Sequence, residues 1–173
     1  GIYHQVAAKV PVYSLSLSNQ ACPNACSFCV RPENYGRAPV RRRIEIVLDE
    51  LRQLAGRHGV RHLRVEDSTP PAQALTELAR AILASELRGQ LSLSGFARID
   101  TNRQEDFACL QAAGFRALFF GIESLDDETL RSLDKGITYD AIRATLRAAH
   151  DAGVRTVGSF IFPLPGETRA SMA

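Results

Sequence analysis

Apolar and polar residues recur along the chain with two periods, and the switches between them mark out the elements. Val12 to Ser18 reads as a strand in which Leu15 and Leu17 alternate with Ser14, Ser16 and Ser18. A long loop with Pro and Gly follows, from Gln20 to Pro39. Between Arg42 and His58 the apolar positions Ile44, Val47, Leu48, Leu51, Leu54 and Ala55 take helical spacing, and Gly59 ends the run. Val60 to Val65 predicts a second strand. Leu75, Leu78, Ala79, Ile82 and Leu83 predict a second helix after Pro70-Pro71. Leu91 to Ile99 is a third strand, and Phe107, Leu110 and Ala113 mark a third helix ended by Gly114. Phe115 to Ile122 is a fourth strand, followed by a short helix over Asp126 to Leu133. Thr138 is placed to cap another helix, with Ile142, Thr145, Leu146 and Ala149 on its inner face and Gly153 at its end. Val154 to Phe162 is a fifth strand.

Strand and helix therefore alternate as (βα)₄β, with no hairpin signals and no internal linker. That order implies an α/β fold with a parallel sheet and right-handed crossovers. The sheet is either an open doubly wound one or part of a barrel. Ligands sit beyond the C-terminal ends of the strands in both. Leu91 and Leu93 alternate with Ser92 and Ser94, as in the first strand, whereas parallel strands buried on both faces usually read as unbroken apolar runs. Two readings fit: a small polar inner face that leaves room for a ligand, or edge strands with one wet face.

Length and composition narrow the class. The 173 residues suffice for one domain with a substantial core, and 45% hydrophobic with 23% charged residues is ordinary for a globular protein. No apolar stretch approaches the roughly 20 residues needed to span a bilayer. Gly1 to Gln5 shows no secretory n-region, which points to a cytoplasmic protein. The chain lacks an initiator Met and has no helix after its last strand, so a single domain over 1–173, truncated at its C-terminus, is expected. A net charge of +2, from 21 basic and 19 acidic residues, is too balanced to argue for nucleic acid or a membrane surface. The local run Arg37, Arg41, Arg42 and Arg43 fits a solvated loop and helix start, or a site for an anionic group.

The chemistry lies in the cysteines. Cys22-Pro23-Asn24-Ala25-Cys26-Ser27-Phe28-Cys29 places three thiols at CxxxCxxC spacing in the loop after the first strand. Three clustered thiols cannot all pair with one another, so a reducing compartment and a metal site fit better than a disulfide framework. A [4Fe–4S] cluster offers four iron corners held by thiolates. One short loop can wrap three and leave the fourth open. A zinc site of three Cys and one His is an alternative, although the nearest histidines are His58 and His62. Structural or redox-sensing thiols, or an electron-transfer cluster, are others. The last would need a fourth ligand such as Cys109, which lies beside Phe107 and Leu110 and reads as a buried core cysteine.

Four segments carry a resemblance: Ala21 to Cys29; Val65-Glu66-Asp67-Ser68-Thr69; Phe120-Gly121-Ile122-Glu123-Ser124 with Leu130, Leu133, Asp134, Lys135 and Gly136; and Phe160 to Thr168. Together they resemble the radical S-adenosylmethionine (SAM) superfamily, more narrowly its proteins that follow a cobalamin-binding domain. The resemblance implies a parallel, incompletely closed βα barrel, here with its first five strands. It also implies a [4Fe–4S] cluster on Cys22, Cys26 and Cys29, with SAM on the open iron. Reductive cleavage of SAM would then release a 5′-deoxyadenosyl radical, or a methyl group would be relayed by cobalamin held in an upstream domain. The partners implied are a small-molecule substrate and an electron donor such as flavodoxin or ferredoxin. An RNA-modifying methylthiotransferase and a non-catalytic Fe–S or zinc module are the rival readings.

The same resemblance implies SAM contacts at the strand ends. Phe28 precedes the third cysteine. Glu66 or Asp67 would meet the SAM amino group, and a helix N-terminal acid is the plainer reading of either. By its place at the end of the third strand, on the face of Ser92, Ser94 and Phe96, Arg98 would meet the SAM carboxylate or a substrate acid, or else be a surface arginine. Glu123 would contact the ribose or amino group, or else cap the helix near Asp126. Lys135, twelve residues on, would pair with the SAM carboxylate, or else be a loop lysine at a helix C-terminus. Ile161, with Phe160 and Phe162, would line the adenine side or simply belong to the core. Two departures stand out: Pro163 where the family usually carries Gly, and Gln20-Ala21 where it often has Arg-Gly.

Overall fold

The computed structural model describes residues 12–67, 69–71, 73–101, 106–164, 166, 168 and 169. Five strands form one sheet: β1 Val12–Leu15, β2 His62–Val65, β3 Ser92–Ala97, β4 Phe115–Glu123 and β5 Arg155–Phe160. The helices are α1 Arg31–Tyr35, α2 Ile44–Arg57, α3 Ala74–Leu83, α4 Asp106–Ala112, α5 Asp127–Ser132 and α6 Tyr139–Asp151.

The strands lie in chain order, β1-β2-β3-β4-β5, and every neighbouring pair is parallel. A doubly wound sheet reverses its order at a switch point. This sheet never does, so right-handed crossovers send every connecting helix to one face. The result is one wall of a βα barrel. Leu63, Val65, Leu93, Ala97, Leu118 and Phe120 point to the helix side and join the core with Leu51 of α2, Leu78 and Ile82 of α3, and Phe107 and Leu110 of α4. Full burial of each such Leu, Val, Ile or Phe side chain contributes roughly 1.5–3 kcal/mol relative to exposure.

The opposite face answers the question raised by the serines. β3 lies in the middle of the sheet, and Ser92, Ser94 and Phe96 alternate half-buried with the fully buried Leu93, Gly95 and Ala97. That face is the lumen. β1 is an edge, and its Val12, Tyr13 and Ser14 are exposed. Across the lumen Arg64 covers the rings of Phe96 and Phe119, at 5.0 and 5.2 Å, and pairs with Glu66 at 3.0 Å.

β2 and β3 are shorter than the sequence pattern at His62–Val65 and Ser92–Ala97, and three further differences bear on the site. The first strand stops at Leu15, because Leu17 N turns to the Asp67 carboxylate at 2.6 Å and Arg42 N bonds Leu17 O at 2.8 Å. The loop from Gln20 to Pro39 contains α1, which starts with Pro in its first turn, where a missing N–H costs nothing. The fifth strand ends at Phe160. The basic run fits a solvated loop and helix start: Arg41 pairs with Glu77, Arg42 with Glu50 at 2.6 Å, the exposed Arg43 with Glu45 at 3.6 Å, and Arg37 donates to Asn24 O at 3.1 Å.

Asp67 is 1% exposed, and its two oxygens accept from Leu17 N and Ser18 Oγ. It bolts the end of β2 to the segment leading into the cysteine loop. Asp67→Ala leaves both donors buried without an acceptor, at about 1–3 kcal/mol each. A loss of roughly 3 kcal/mol in urea unfolding is expected; a loss below 1 kcal/mol would show that the two donors find other partners.

Candidate functional site

The loop from Gln20 to Pro39 is pinned at its base and along its length. Asn19 N donates to Val40 O at 3.1 Å, while Asn19 Oδ1 accepts from Val40 N at 2.9 Å. Further in, Cys22 N donates to Gly36 O at 3.1 Å and Ser27 N to Leu133 O at 3.0 Å. The loop therefore sits over the C-terminal ends of the strands, beside the end of α5. Cys22, Cys26 and Cys29 are free thiols, and all three line one cleft of about 250 Å³. Among the described residues no three His, Cys, Asp or Glu side chains converge as ligands of a single metal ion do. The thiols line one cleft instead, and a cluster, in which each thiolate holds a different iron, does not ask them to converge on one ion.

N–H donors face two of the sulfurs, and one of these donors carries a positive charge. Asn24 Nδ2 lies 3.4 Å from Cys22 Sγ, and Arg98 Nη1 lies 3.7 Å from Cys26 Sγ. Burial pushes the Cys22 thiol up, but hydrogen bonds from Thr69 and Asn24, aided by the Arg98 charge, outweigh it and leave its pKa below the usual thiol value. Thiolate is the ligand form of cysteine. The donor set thus fits an iron–sulfur cluster.

Across the cleft stand Glu123 and Lys135. Glu123 has φ 70°, and the pairing of β4 with β5 slips there, between Gly121 and Glu123. Such a bulge re-aims a side chain at the end of a strand. Lys135 is presented by a Schellman turn after α5: Lys135 N bonds Leu130 O and Asp134 N bonds Arg131 O, both at 3.1 Å, with Asp134 left-handed at φ 50°. The two side chains meet at 2.9 Å with only 9% and 7% of their surface exposed. The Lys135 ammonium also lies 5.4 Å from the Phe28 ring centroid. Glu123 does not cap the following helix; Asp126 does, accepting from Thr129 N at 2.7 Å.

Gly121 makes room for this pair. A Cβ there would stand 2.6 Å from Glu123 Oε1 and 3.1 Å from Lys135 Nζ. Gly121→Ala is therefore expected to disturb the pair and weaken occupancy of the cleft about 10-fold or more while β4 still forms. Ligand titration of the variant reads this, and unchanged affinity would show the side chains can shift aside.

The structure brings together Cys22, Cys26, Cys29, Phe28, Arg98, Glu123 and Lys135 along the cleft. Glu66, Asp67 and Ile161 are not in its lining. Glu66 pairs with Arg64 in the lumen, Asp67 is committed to Leu17 and Ser18, and Ile161 N donates to Glu123 O at 3.1 Å. Neither acid caps α3, whose first turn receives no side-chain cap. Ser68, Pro165 and Glu167 of the family-like segments lie outside the described residues. Sequence reasoning missed Arg31, Thr69 and the Val157-Gly158-Ser159 stretch, which also line the cleft. The small residues of β5, just before its Phe-rich end, were the available signal. Cys109 packs against the core on α4, away from the cleft lining. No helix among the described residues is long and apolar enough to cross a membrane.

Comparison with known proteins gives the fold and the family. An uncharacterized methyltransferase of Pyrococcus horikoshii is 24% identical over 157 residues, 91% of this chain and 34% of that protein. The tRNA-2-methylthio-N(6)-dimethylallyladenosine synthase of Pelobacter propionicus is 30% identical over 161 residues, 86% of this chain and 36% of that protein. The fold is that of the radical SAM methyltransferase TsrM from Kitasatospora setae, solved with cobalamin and a [4Fe–4S] cluster bound: TM-score 0.81, 23% identity, 94% of this chain and 33% of that one. The chain thus spans about a third of the length of the relatives it matches. The Radical SAM superfamily model matches residues 17–173, and the chain belongs to that superfamily of enzymes, whose cofactors are a [4Fe–4S] cluster and S-adenosylmethionine.

Proposed function

We propose that this chain is the catalytic core of a radical SAM enzyme in which Cys22, Cys26 and Cys29 hold the cluster and Glu123 with Lys135 receives SAM. One observation carries the reading: three free thiols and a buried carboxylate–ammonium pair line the same cleft at the C-terminal ends of parallel strands. When bound, the cluster supplies the electron that breaks a carbon–sulfur bond of SAM, a chemistry belonging to the cofactor.

The protein's part is binding and exclusion. The Lys135 ammonium suits the SAM carboxylate, and the Glu123 carboxylate suits the SAM amino group, through charge-assisted hydrogen bonds. SAM would then exchange one buried ion pair for two. Phe28, Phe96 and Phe119 give the cleft apolar walls that limit water. The small-molecule substrate occupies the lumen beside Ser92, Ser94 and Phe96. Methyl transfer relayed by cobalamin, held by a domain outside this chain, is the reaction we favour, because the methyltransferases above are similar over nearly the whole segment. The electron comes from a flavodoxin- or ferredoxin-type donor in a reducing cytoplasm.

The methylthio-transfer reading has a relative at 30% identity in its favour. It needs auxiliary cluster ligands and an RNA-binding module outside this segment; within the segment the spare cysteine, Cys109, packs against the core. The test is chemical. The chain is reconstituted anaerobically with iron and sulfide, reduced with dithionite and given SAM. Consumption of SAM that requires the reductant is expected. Intact SAM over a fully loaded, reduced cluster would contradict the assignment.

A further inference from the structure

Arg98 sits at the end of β3, where its place on the strand would aim it at a carboxylate of SAM or substrate. Its surroundings say otherwise. The residue is 6% exposed. Nε and Nη2 form a fork on Asp100, at 2.8 and 3.0 Å. Nη2 also donates to the Lys135 carbonyl at 2.6 Å. These contacts fix the plane of the guanidinium, and Nη1 is left aimed at Cys26 Sγ, 3.7 Å away. Arginine stays protonated, so this is a permanent positive charge with an N–H directed at one sulfur of the cysteine loop.

We propose that Arg98 is a positioning residue for the cluster's electronics: it donates a charged hydrogen bond to the Cys26 sulfur and so raises the reduction potential of the cluster. The inference rests on the reading that Cys26 is a cluster ligand. Its physics is direct. Taking up one electron, from dithionite or a low-potential donor protein, makes the cluster more negative. A fixed cation and an N–H on a ligand sulfur stabilise that state more than the oxidised one, and hydrogen bonds to sulfur are among the factors that set such potentials. The same arginine grips the carbonyl of Lys135, so it also ties the loop over the thiols to the residue proposed to meet SAM.

The test compares the reconstituted chain with Arg98→Gln and Arg98→Lys. Iron analysis of the wild type comes first; absence of about four irons per chain would sink the cluster reading itself, apart from anything about Arg98. Given a loaded wild type, midpoint potentials are measured by redox titration without SAM. Arg98→Gln is expected to hold its iron and shift to a more negative potential. Arg98→Lys, which keeps the charge but not the fork, is expected to fall between. An unchanged potential in both loaded variants would overturn the proposal. So would loss of SAM affinity with no change in potential, which would return Arg98 to a substrate-binding role. Failure of both variants to load iron while remaining folded would also overturn it, making Arg98 part of the loop's architecture instead.

Discussion

Cys26→Ala is expected to give a folded chain that takes up no stable [4Fe–4S] cluster. After anaerobic reconstitution its iron content should fall from about four per chain toward zero, and the visible sulfur-to-iron absorbance should vanish. Far-UV circular dichroism and the unfolding midpoint should hardly move. Cys26 is only half-buried and lies outside the main core, and a substitution of that kind usually stays within about 0.5 kcal/mol. Its backbone contact, Cys29 N to Cys26 O at 3.1 Å, does not depend on the side chain. Two remaining thiolates cannot hold three corners of a cube. A variant that kept its full iron and still consumed SAM would be incompatible with three-cysteine ligation.

Lys135→Met carries the second large effect, and it has two parts. The first is stability. Glu123 would remain buried without its counter-charge, and removing one partner of a buried pair costs about 3–5 kcal/mol. For a chain of this length that is a fall of roughly 6–20 °C in Tm, at about 2–4 °C per kcal/mol. The second is binding. Losing a charged hydrogen bond to the SAM carboxylate, worth about 1.5–3 kcal/mol, weakens SAM by roughly 10–100-fold in calorimetry on the loaded chain. Lys135→Arg should recover most of the stability. Unchanged SAM affinity in Lys135→Met, with the cluster in place, would remove Lys135 from the SAM site and leave it a purely structural partner of Glu123.

Much of the fold could be read in advance because the two hydrophobic periods are clean. Leu51, Leu78, Ile82 and Leu110 fall on helical spacing and are fully buried, and Thr138 does cap α6, accepting from Ala141 N at 3.3 Å. Local pattern could not choose between an open sheet and a barrel wall, since strand order is a long-range property; the unreversed order β1 to β5 decides it. Nor could pattern separate the two serine-rich strands. The same alternation marks a lumen face in the central β3 and a solvent face in the edge β1.

The site was legible where its signal is local. The cysteine spacing lies within eight residues, and the Glu123–Lys135 separation is bridged by one short helix. It was illegible where partners come from distant elements. Asp67 looks like a strand-end ligand, yet its oxygens face Leu17 and Ser18, fifty and forty-nine residues away. Arg98 looks like an anion clamp, yet Asp100, Lys135 and Cys26 surround it. A carboxylate or guanidinium advertises charge in a sequence, but only the fold decides which opposite charge or sulfur it meets.

The most direct measurement is electron paramagnetic resonance of the reduced, reconstituted chain with and without SAM. Occupation of a vacant iron corner should perturb the cluster signal when SAM is added, and Cys22→Ala, Cys26→Ala and Cys29→Ala should each abolish that signal. A [4Fe–4S] signal indifferent to saturating SAM, or a chain that binds zinc and refuses iron, would contradict the account.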